Sequence, residues 1–289
     1  MAEDHDFFVR FWGVRGSIAC PGAKTMRYGG NTSCLEIGCG DRMLIFDAGT
    51  GLYALGSELA ANRGIAGGGI KYDLFFTHTH FDHICGFPFF QPAFDPSNQL
   101  RIWAGHLLPE RTIREVLIYL MMNPLFPIPN PLFPIPIDTM RAKLEFEDFE
   151  AGKVLSPDDD ISIRTAPLNH PNGATGYRVE YGGRSICYVT DTEHVVGEPD
   201  QNILGLIEGA DYFIYDSTYS DDQFAEHKGW GHSTWQEGAR LADQAGVGTF
   251  VVFHHDPDHN VAHMDAVTEA LEAVRSGSIV AREDLVLAP

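Results

Sequence analysis

The chain has 289 residues, of which 44% are hydrophobic and 21% are charged. This length and apolar fraction fit a single large globular domain over 1–289 and exclude extensive disorder. Forty acidic residues against twenty basic ones give a formal net charge of −20. Because such a surface repels polyanions, we expect a small-molecule substrate and neither a large nucleic acid nor a membrane as partner.

The N-terminus and the cysteines indicate the cellular compartment. Residues 1–6 carry acids where a secretory signal carries basic residues, and no apolar run approaches membrane-spanning length. The five cysteines are odd in number and lack Cys-x-x-Cys spacing, which argues against a disulfide framework or a thiolate zinc site. We therefore expect a cytoplasmic protein with reduced cysteines.

The first part of the chain has the alternation typical of a β-rich region closed by helices. Apolar runs are separated by turns that contain glycine and proline, and the last run leads directly into a group of histidines. The pattern predicts strands at 7–12, 33–37, 43–46 and 72–77, and helices at 52–62 and 109–122.

A tandem repeat follows the second of these helices. The heptapeptide Asn-Pro-Leu-Phe-Pro-Ile-Pro occurs at 123–129 and again, without a gap, at 130–136. Prolines at this density exclude a helix or a central strand, so we expect an extended insertion around 123–137. Two interpretations stay open: a surface loop that packs on its own domain, or a lid or homodimer contact that covers the active site.

The second half repeats the order of strands followed by helices. Two β-rich halves, each closed by helices, predict an α/β fold in which two sheets pack face to face with helices outside. Strands are expected near 161–168, 175–181, 184–190, 210–216 and 248–253, and helices near 200–208, 233–244 and 262–275.

A group of metal-binding residue types follows the strand at 72–77. His78, His80, Asp82 and His83 lie within six positions of one another, which is too many polar groups after a buried strand for packing alone. Imidazole and carboxylate are ligands that suit zinc and similar transition metals. The spacing therefore predicts a metal site at the carboxyl end of this strand.

Three further candidate ligands stand at the ends of later apolar strands. His170, Asp191 and His254 each follow such a strand, so each can reach the same edge of a sheet. Any one of them alone is more typical of a turn than of a ligand. Together with the histidine group, they supply enough donors for two divalent ions, with zinc as the default and manganese or iron as alternatives.

The sequence resembles the metallo-β-lactamase superfamily, whose His-x-His-x-Asp-His motif is matched at 78–83. Gly-His-Ser-Thr at 231–234 resembles the branch that contains ribonuclease Z and cyclic phosphodiesterases. The resemblance implies an αβ/βα four-layer sandwich of two mixed sheets flanked by helices, and it favours His254 over the adjacent His255 as the last ligand. It also implies that Asp47 orients a ligand histidine. The implied ligands are His78, His80 and His170 for one ion, Asp82, His83 and His254 for the other, and Asp191 as the bridge.

The implied activity is hydrolysis of a small phosphodiester, with cyclic ones among the candidates, by a hydroxide that bridges the two ions. Asp82 and His232 are the predicted catalytic residues. His232 is expected to donate a proton to the leaving group or to steady a phosphate oxygen. The alternative is that it only caps the helix that starts near Ser233, although Ser233 itself is the more natural N-cap.

Two other functions are compatible with the same residues. A lactonase, or another carboxylic ester or amide hydrolase of the β-lactamase kind, would use the same hydroxide on a carbonyl. A non-hydrolytic di-iron redox or sensor module would use the same ligands for a different purpose. Ribonuclease Z activity itself is disfavoured here, because the sequence has no long basic arm and the net charge repels tRNA.

Overall fold

The structure is a computed structural model that describes residues 6–66, 69–121 and 135–289, with the backbone alone for 62–66. Nearly all of the tandem repeat lies outside these ranges. The two interpretations of the repeat, a surface loop and a lid or homodimer contact, therefore concern residues outside the described part of the chain. The expectation of one domain over 1–289 stays a prediction. Of the described residues, no helix is both long and apolar enough to cross a membrane.

The first sheet is built mainly from the N-terminal half of the chain. Its strands are β1 (Phe7–Gly13), β2 (Cys34–Cys39), β3 (Arg42–Phe46), β4 (Lys71–Phe76), β5 (Gln99–Ala104) and β6 (Lys143–Asp148), with β14 (Val286–Leu287) added from the C-terminus. The spatial order is β14-β1-β2-β3-β4-β5-β6. The pairs from β3 to β6 are parallel and the others antiparallel, so the sheet is mixed.

The second sheet is built from the other half in a similar way. Its strands are β7 (Val154–Asp158), β8 (Ile161–Leu168), β9 (Ala174–Tyr181), β10 (Arg184–Val189), β11 (Tyr212–Asp216), β12 (Thr249–Phe253) and β13 (Ile279–Val280). Their spatial order is β13-β12-β11-β10-β9-β8-β7. The pairs from β10 to β13 are parallel, and those from β7 to β10 are antiparallel.

Helices cover the outer faces of both sheets. The longer ones are α1 (Gly51–Ala66), α3 (Ile113–Met121), α4 (Gln201–Ile207), α6 (Trp235–Gln244) and α7 (Val261–Val274), and the short ones are α2 (Phe81–Ile84) and α5 (Asp221–Phe224). Apolar residues of α1 and α3 pack on the first sheet, and those of α4, α6 and α7 pack on the second. The predicted architecture of two mixed sheets flanked by helices is confirmed.

A third apolar cluster lies between the two sheets and holds them together. It combines inward-facing side chains of β1, β2 and β3 with those of β8, β9 and β10. The hydroxyl of Tyr177, on β9, donates a 2.6 Å hydrogen bond to the carbonyl of Phe76 at the end of β4. The sheets are therefore linked next to the segment that carries the histidine group.

Most predicted elements are observed within a few residues, and the differences have local causes. The helix expected at 109–122 begins only at Ile113, because Thr112 and Glu115 exchange the reciprocal hydrogen bonds of a capping box. Strands β5, β6 and β7 and the two-residue strands β13 and β14 were not predicted. The sequence of β5 does have the alternation of apolar and more polar residues that is typical of a strand. Leu100, Ile102 and Ala104 are buried, and the residues between them are half-buried.

The cluster between the sheets predicts a large difference between two valines of the second sheet. Val179 on β9 is buried in this cluster, whereas Val154 on β7 is 63% exposed. We expect Val179→Ala to lower the free energy of unfolding by about 2 kcal/mol, because it removes buried methyl groups and leaves a void. Val154→Ala, the same change at the surface, should alter it by less than about 0.5 kcal/mol. Equal effects in urea unfolding would contradict this assignment of the core.

Candidate metal centre

The candidate site lies where strands from both sheets end. His78 follows β4, His170 follows β8, Asp191 follows β10 and His254 follows β12. These strands run in the same direction within their sheets, so their carboxyl ends form one rim. The structure thus brings together residues that are up to 176 positions apart in the sequence.

The histidine group is folded back onto this rim by a single helical turn. After β4 the chain passes through His78 and His80 and enters α2, of which Asp82 and His83 are buried. The buried side chains of Asp82 and His83 approach each other, with His83 Nε2 3.3 Å from Asp82 Oδ2. The turn therefore aims the later residues of the motif at the same point as the first ones.

Asp191 lies at the centre of the cluster, and its two carboxylate oxygens face different neighbours. Oδ1 is 3.7 Å from His78 Nε2 and 3.8 Å from His170 Nε2. Oδ2 is 3.2 Å from His83 Nε2 and 3.3 Å from His254 Nε2. One carboxylate thus faces two separate groups of imidazoles.

The side chains around Asp191 form two sets of donors. His78, His80 and His170 form one set, in which His170 Nε2 is 3.0 Å from His80 Nδ1. Asp82, His83 and His254 form the other set, in which His254 Nε2 is 3.5 Å from Asp82 Oδ2. Within each set the candidate ligand atoms lie within 4.8 Å of one another, a spacing at which they could hold a metal ion.

The orphaned nitrogens of this cluster fit a bound metal. His78 Nε2, His83 Nε2 and His254 Nε2 are all buried, and none has a hydrogen-bond partner within the described ranges. A buried imidazole nitrogen without a partner is destabilising unless something else satisfies it. Cations held by the two donor sets, His78 in one and His83 and His254 in the other, would satisfy these atoms.

The electrostatics of the site keep the carboxylates ionised. Burial opposes ionisation, but the imidazoles of His254, His83 and His78 hold the pKa of Asp191 well below its usual range. Burial also raises the pKa of Asp82, but His83 and His254 outweigh it and lower that pKa. An ionised carboxylate is the form that binds a metal.

All three histidines of the first set are neutral for a related reason. Burial, together with nearby imidazoles, lowers the pKa of His78, and burial also lowers the pKa of His80 and His170. His83 differs, because the carboxylates of Asp191, Asp82 and Asp47 outweigh its burial and raise its pKa. Neutral imidazole is the ligand form, so this set is ready to bind without releasing protons.

Two of the inward-facing imidazoles, those of His83 and His170, are fixed from behind by a second contact. His83 Nδ1 donates to Asp47 Oδ2 at 2.9 Å, and the same oxygen accepts a 2.9 Å bond from the hydroxyl of Tyr188. His170 Nδ1 donates to the carbonyl of Gly231 at 2.8 Å. These contacts set the tautomer and the direction of each ring. The expectation that Asp47 orients a ligand histidine matches this geometry.

The backbone at the strand ends is unusual at three of these positions. Asp47, Asp191 and His254 have positive φ angles of 61°, 59° and 61°. Non-glycine residues rarely adopt this left-handed conformation, and where they do it is held by the surrounding structure. Close packing adds to the constraint, since a Cβ on Gly16 would lie 2.2 Å from the ring of His254.

The structure distinguishes the two adjacent histidines after β12. His254 faces the cluster, whereas His255 turns away and its Nε2 donates a 2.8 Å bond to the carbonyl of Ala281. Burial lowers the pKa of His255 to about 3, so this side chain is a neutral packing residue.

His232 lies beside the cluster and is paired with a carboxylate that the sequence did not suggest. Its Nδ1 is 3.0 Å from Asp216 Oδ2 and 3.7 Å from Asp191 Oδ1. Despite its burial, the charge of Asp216 and the hydrogen bond to it raise the pKa of His232 to about 9. Asp216 is the last residue of β11 and is followed by Ser-Thr. An acidic residue at the end of an apolar strand was the sequence signal that could have identified it as a site residue.

The alternative role considered for His232, as a helix cap, does not match the structure. The helix after it is α6, whose N-cap is Thr234, with the hydroxyl of Thr234 accepting from the backbone of Glu237. The expected cap, Ser233, instead accepts a 2.8 Å bond from the hydroxyl of Tyr215. The expectation of a Ser233 cap was wrong because the helix begins one residue later and the Ser233 side chain points into the core.

Comparisons with known proteins agree with this geometry. A family model described as the beta-lactamase superfamily domain matches residues 42–255. Ribonuclease Z from Haloarcula marismortui is 27% identical over 312 residues, covering 96% of this chain and 94% of that protein. These matches confirm the predicted resemblance to the superfamily and to its ribonuclease Z branch, and they confirm the prediction of a metal-dependent hydrolase.

Solved structures show the same fold. The metallo-beta-lactamase fold protein YhfI from Bacillus subtilis has a TM-score of 0.69 and 19% identity, covering 97% of this chain and 99% of that one. The short form of human tRNase Z has a TM-score of 0.66 and 20% identity, covering 97% of this chain and 98% of that one. The predicted four-layer sandwich is therefore confirmed.

The expectation that no large nucleic acid is a partner was wrong. A relative that matches almost the whole chain is named ribonuclease Z, and RNA is the substrate of a ribonuclease. The expectation rested on the formal net charge of −20, which sums the entire surface and counts no bound cation. A polyanion responds instead to the local potential at the site, where bound ions are the largest charges.

The contact between Asp47 and His83 predicts an effect on metal affinity. We expect Asp47→Asn to weaken zinc binding by about 10- to 100-fold, because His83 loses the charged acceptor that orients its ring. Asp284→Asn is a matched control, since Asp284 also has a positive φ, of 64°, but its side chain is 79% exposed. Competition with a chelating dye measures both affinities. Equal affinities in the two variants would contradict the role of Asp47.

Proposed function

The chain belongs to the beta-lactamase superfamily, and we propose that it is a phosphodiesterase that uses two divalent metal ions. One observation carries this proposal: the carboxylate of Asp191 presents one oxygen to each of two donor sets. A carboxylate in this position suits a bridging ligand between two cations. The proton-donor pair of His232 and Asp216 beside it suits the transfer of a proton to a leaving oxygen.

The ligands that we propose are those named from the sequence. His78, His80 and His170 would hold one ion, Asp82, His83 and His254 the other, and Asp191 both. When bound, two such ions lower the pKa of water and neutralise the negative charge that develops on a phosphodiester. Nitrogen and carboxylate donors suit zinc, and manganese or iron are the alternatives.

The chain's own residues supply the remaining parts of the reaction. His232, with its raised pKa, carries a proton at neutral pH and is directed by Asp216 toward the space next to Asp191. It can therefore protonate the oxygen that leaves phosphorus, and Asp216 stabilises the charged ring beforehand. Asp82 contributes by holding its donor set in place, because the backbone N–H of Ser17 fixes its Oδ2 at 2.7 Å.

The substrate that we propose is a phosphodiester of a nucleotide. The relatives named ribonuclease Z support this class, since their names specify RNA. A small or cyclic phosphodiester contains the same linkage and is the second substrate to test. A screen that includes an RNA oligonucleotide, a dinucleotide and a cyclic nucleotide separates these two, because each gives products of different size.

Metal content and metal dependence test the dinuclear proposal. We expect elemental analysis of the purified protein to give about two metal ions per chain, as the two donor sets require. A chelator should abolish hydrolysis of bis(p-nitrophenyl) phosphate, and zinc or manganese should restore it. Retention of activity after complete metal removal would refute the proposal.

Faster turnover of a lactone or of nitrocefin would favour a carbonyl substrate. A coloured, iron-loaded protein without hydrolytic activity would favour a redox module.

The proton-donor role of His232 predicts a dependence on the leaving group. We expect His232→Ala to lower kcat by about 100-fold for a dinucleotide, whose alkoxide leaving group needs a proton. The same variant should change bis(p-nitrophenyl) phosphate hydrolysis far less, because nitrophenolate leaves without protonation. Metal content should be unchanged, as measured by elemental analysis. An equal loss on both substrates would show that His232 acts on metal binding or on phosphate binding instead.

A further inference from the structure

A row of aromatic rings leads from His232 to the protein surface. The ring of His232 is 6.2 Å from that of Tyr219, which stacks on His227 at 4.2 Å. The ring of His227 is in turn 5.0 Å from that of Trp230, in an edge-to-face arrangement. The row, defined as Tyr219, His227 and Trp230, thus begins at the proposed proton donor and ends at an indole.

The last ring of this row is presented to solvent. Trp230 is 62% exposed, whereas the side chains of Trp12 and Trp235 are less than 10% exposed and Trp103 is only partly so. An indole exposed in this way leaves an aromatic face open to a flat ligand. Lys228, two residues earlier in the sequence, is also exposed.

The loop that carries Trp230 is held rigidly. Gly229 and Gly231 flank it with φ angles of 91° and 83°, which are conformations that favour glycine. Their backbone N–H groups both donate to the same oxygen of Glu193, at 2.7 and 2.9 Å. The carbonyl of Gly231 accepts the bond from His170, so the loop is also fixed relative to the metal centre.

A rigid, exposed indole with a neighbouring lysine is the kind of surface on which nucleobases stack. Every base has an aromatic face, and each stacked base contributes to binding without sequence readout. The lysine can attract the phosphate backbone at the same time. Because the row starts at the group that we assign to the leaving oxygen, it lies on the leaving-group side of the site.

We propose that Trp230 binds the nucleobase of the leaving nucleoside by stacking. This inference rests on the proposed phosphodiesterase function and adds the chemical class of the leaving group. The phosphate lies at the metal centre, the leaving oxygen lies at His232, and the base attached through the sugar lies on Trp230. A phosphodiester whose leaving group has no base would lack this contact.

The test removes each partner of the proposed contact in turn: the indole of Trp230 in the protein and the base of the leaving nucleoside in the substrate. The substrates are adenylyl-adenosine and two analogues in which one or the other base is replaced by hydrogen. Loss of the base on the leaving nucleoside should lower kcat/KM of the natural protein about tenfold, as expected for one stacked base. Trp230→Ala should lower kcat/KM for adenylyl-adenosine by a similar factor, mainly through KM.

The two deletions should not add, because they remove the same contact. In Trp230→Ala, therefore, loss of the leaving base should have little further effect, and Trp230→Phe should retain most of the activity. Tyr119→Ala is the control, since Tyr119 is 54% exposed on α3 and belongs to neither site nor row. Additive losses, or equal sensitivity of Tyr119→Ala, would overturn the proposal.

A binding measurement tests the stacking without turnover. Adenosine monophosphate should quench the fluorescence of the zinc-loaded protein, because Trp230 is its most exposed tryptophan. The quenching should disappear in Trp230→Phe, and ribose 5-phosphate should cause none. Persistence of quenching in Trp230→Phe, or equal quenching by ribose 5-phosphate, would refute base stacking. Since this arm needs no catalysis, a failure of the phosphodiesterase proposal and a failure of the stacking proposal give different results.

Discussion

The site depends on burying carboxylates that nothing but cations can stabilise. Asp191 is 2% exposed and Asp82 is 7% exposed, and they share neighbours in His83 and His254. Two ionised groups this close, and out of water, are strongly unfavourable unless positive charge lies between them. The imidazoles supply part of that charge, and the orphaned Nε2 atoms leave room for the remainder. The fold is arranged so that four strand ends meet at this one point.

The support for the site also crosses the gap between the sheets. Asp47 ends a strand of the first sheet, yet its carboxylate is bonded by Tyr188 from the second sheet as well as by His83. Asp216 supports the site from within the second half, where it accepts from His232 and from Thr218, whose hydroxyl lies 2.9 Å from His254 Nδ1. A shift of one sheet against the other would therefore move both donor sets. Sandwich packing and metal affinity are coupled through Asp47, which is bonded from both sides.

The parts of the site that could be predicted share a simple signature. His170, Asp191 and His254 each follow an apolar strand, and parallel strands bring their ends to one edge. Asp216 follows a strand too, but an isolated acid before Ser-Thr resembles an ordinary turn, and only its pairing with His232 reveals its role. The strands β5 and β6 were missed because charged residues such as Arg101 and Glu145 interrupt their apolar residues. Contacts between distant residues, rather than local pattern, decide these cases.

The wrong expectation about nucleic acid shows how the charge at the site can differ from the net charge of the whole chain. Four buried carboxylates, those of Asp47, Asp82, Asp191 and Asp216, surround the site. Without bound cations this region adds to the net charge of −20 and would repel a phosphodiester. Two divalent ions would cancel those four charges. Metal loading would thus govern whether an anionic substrate can approach at all, in addition to its part in catalysis.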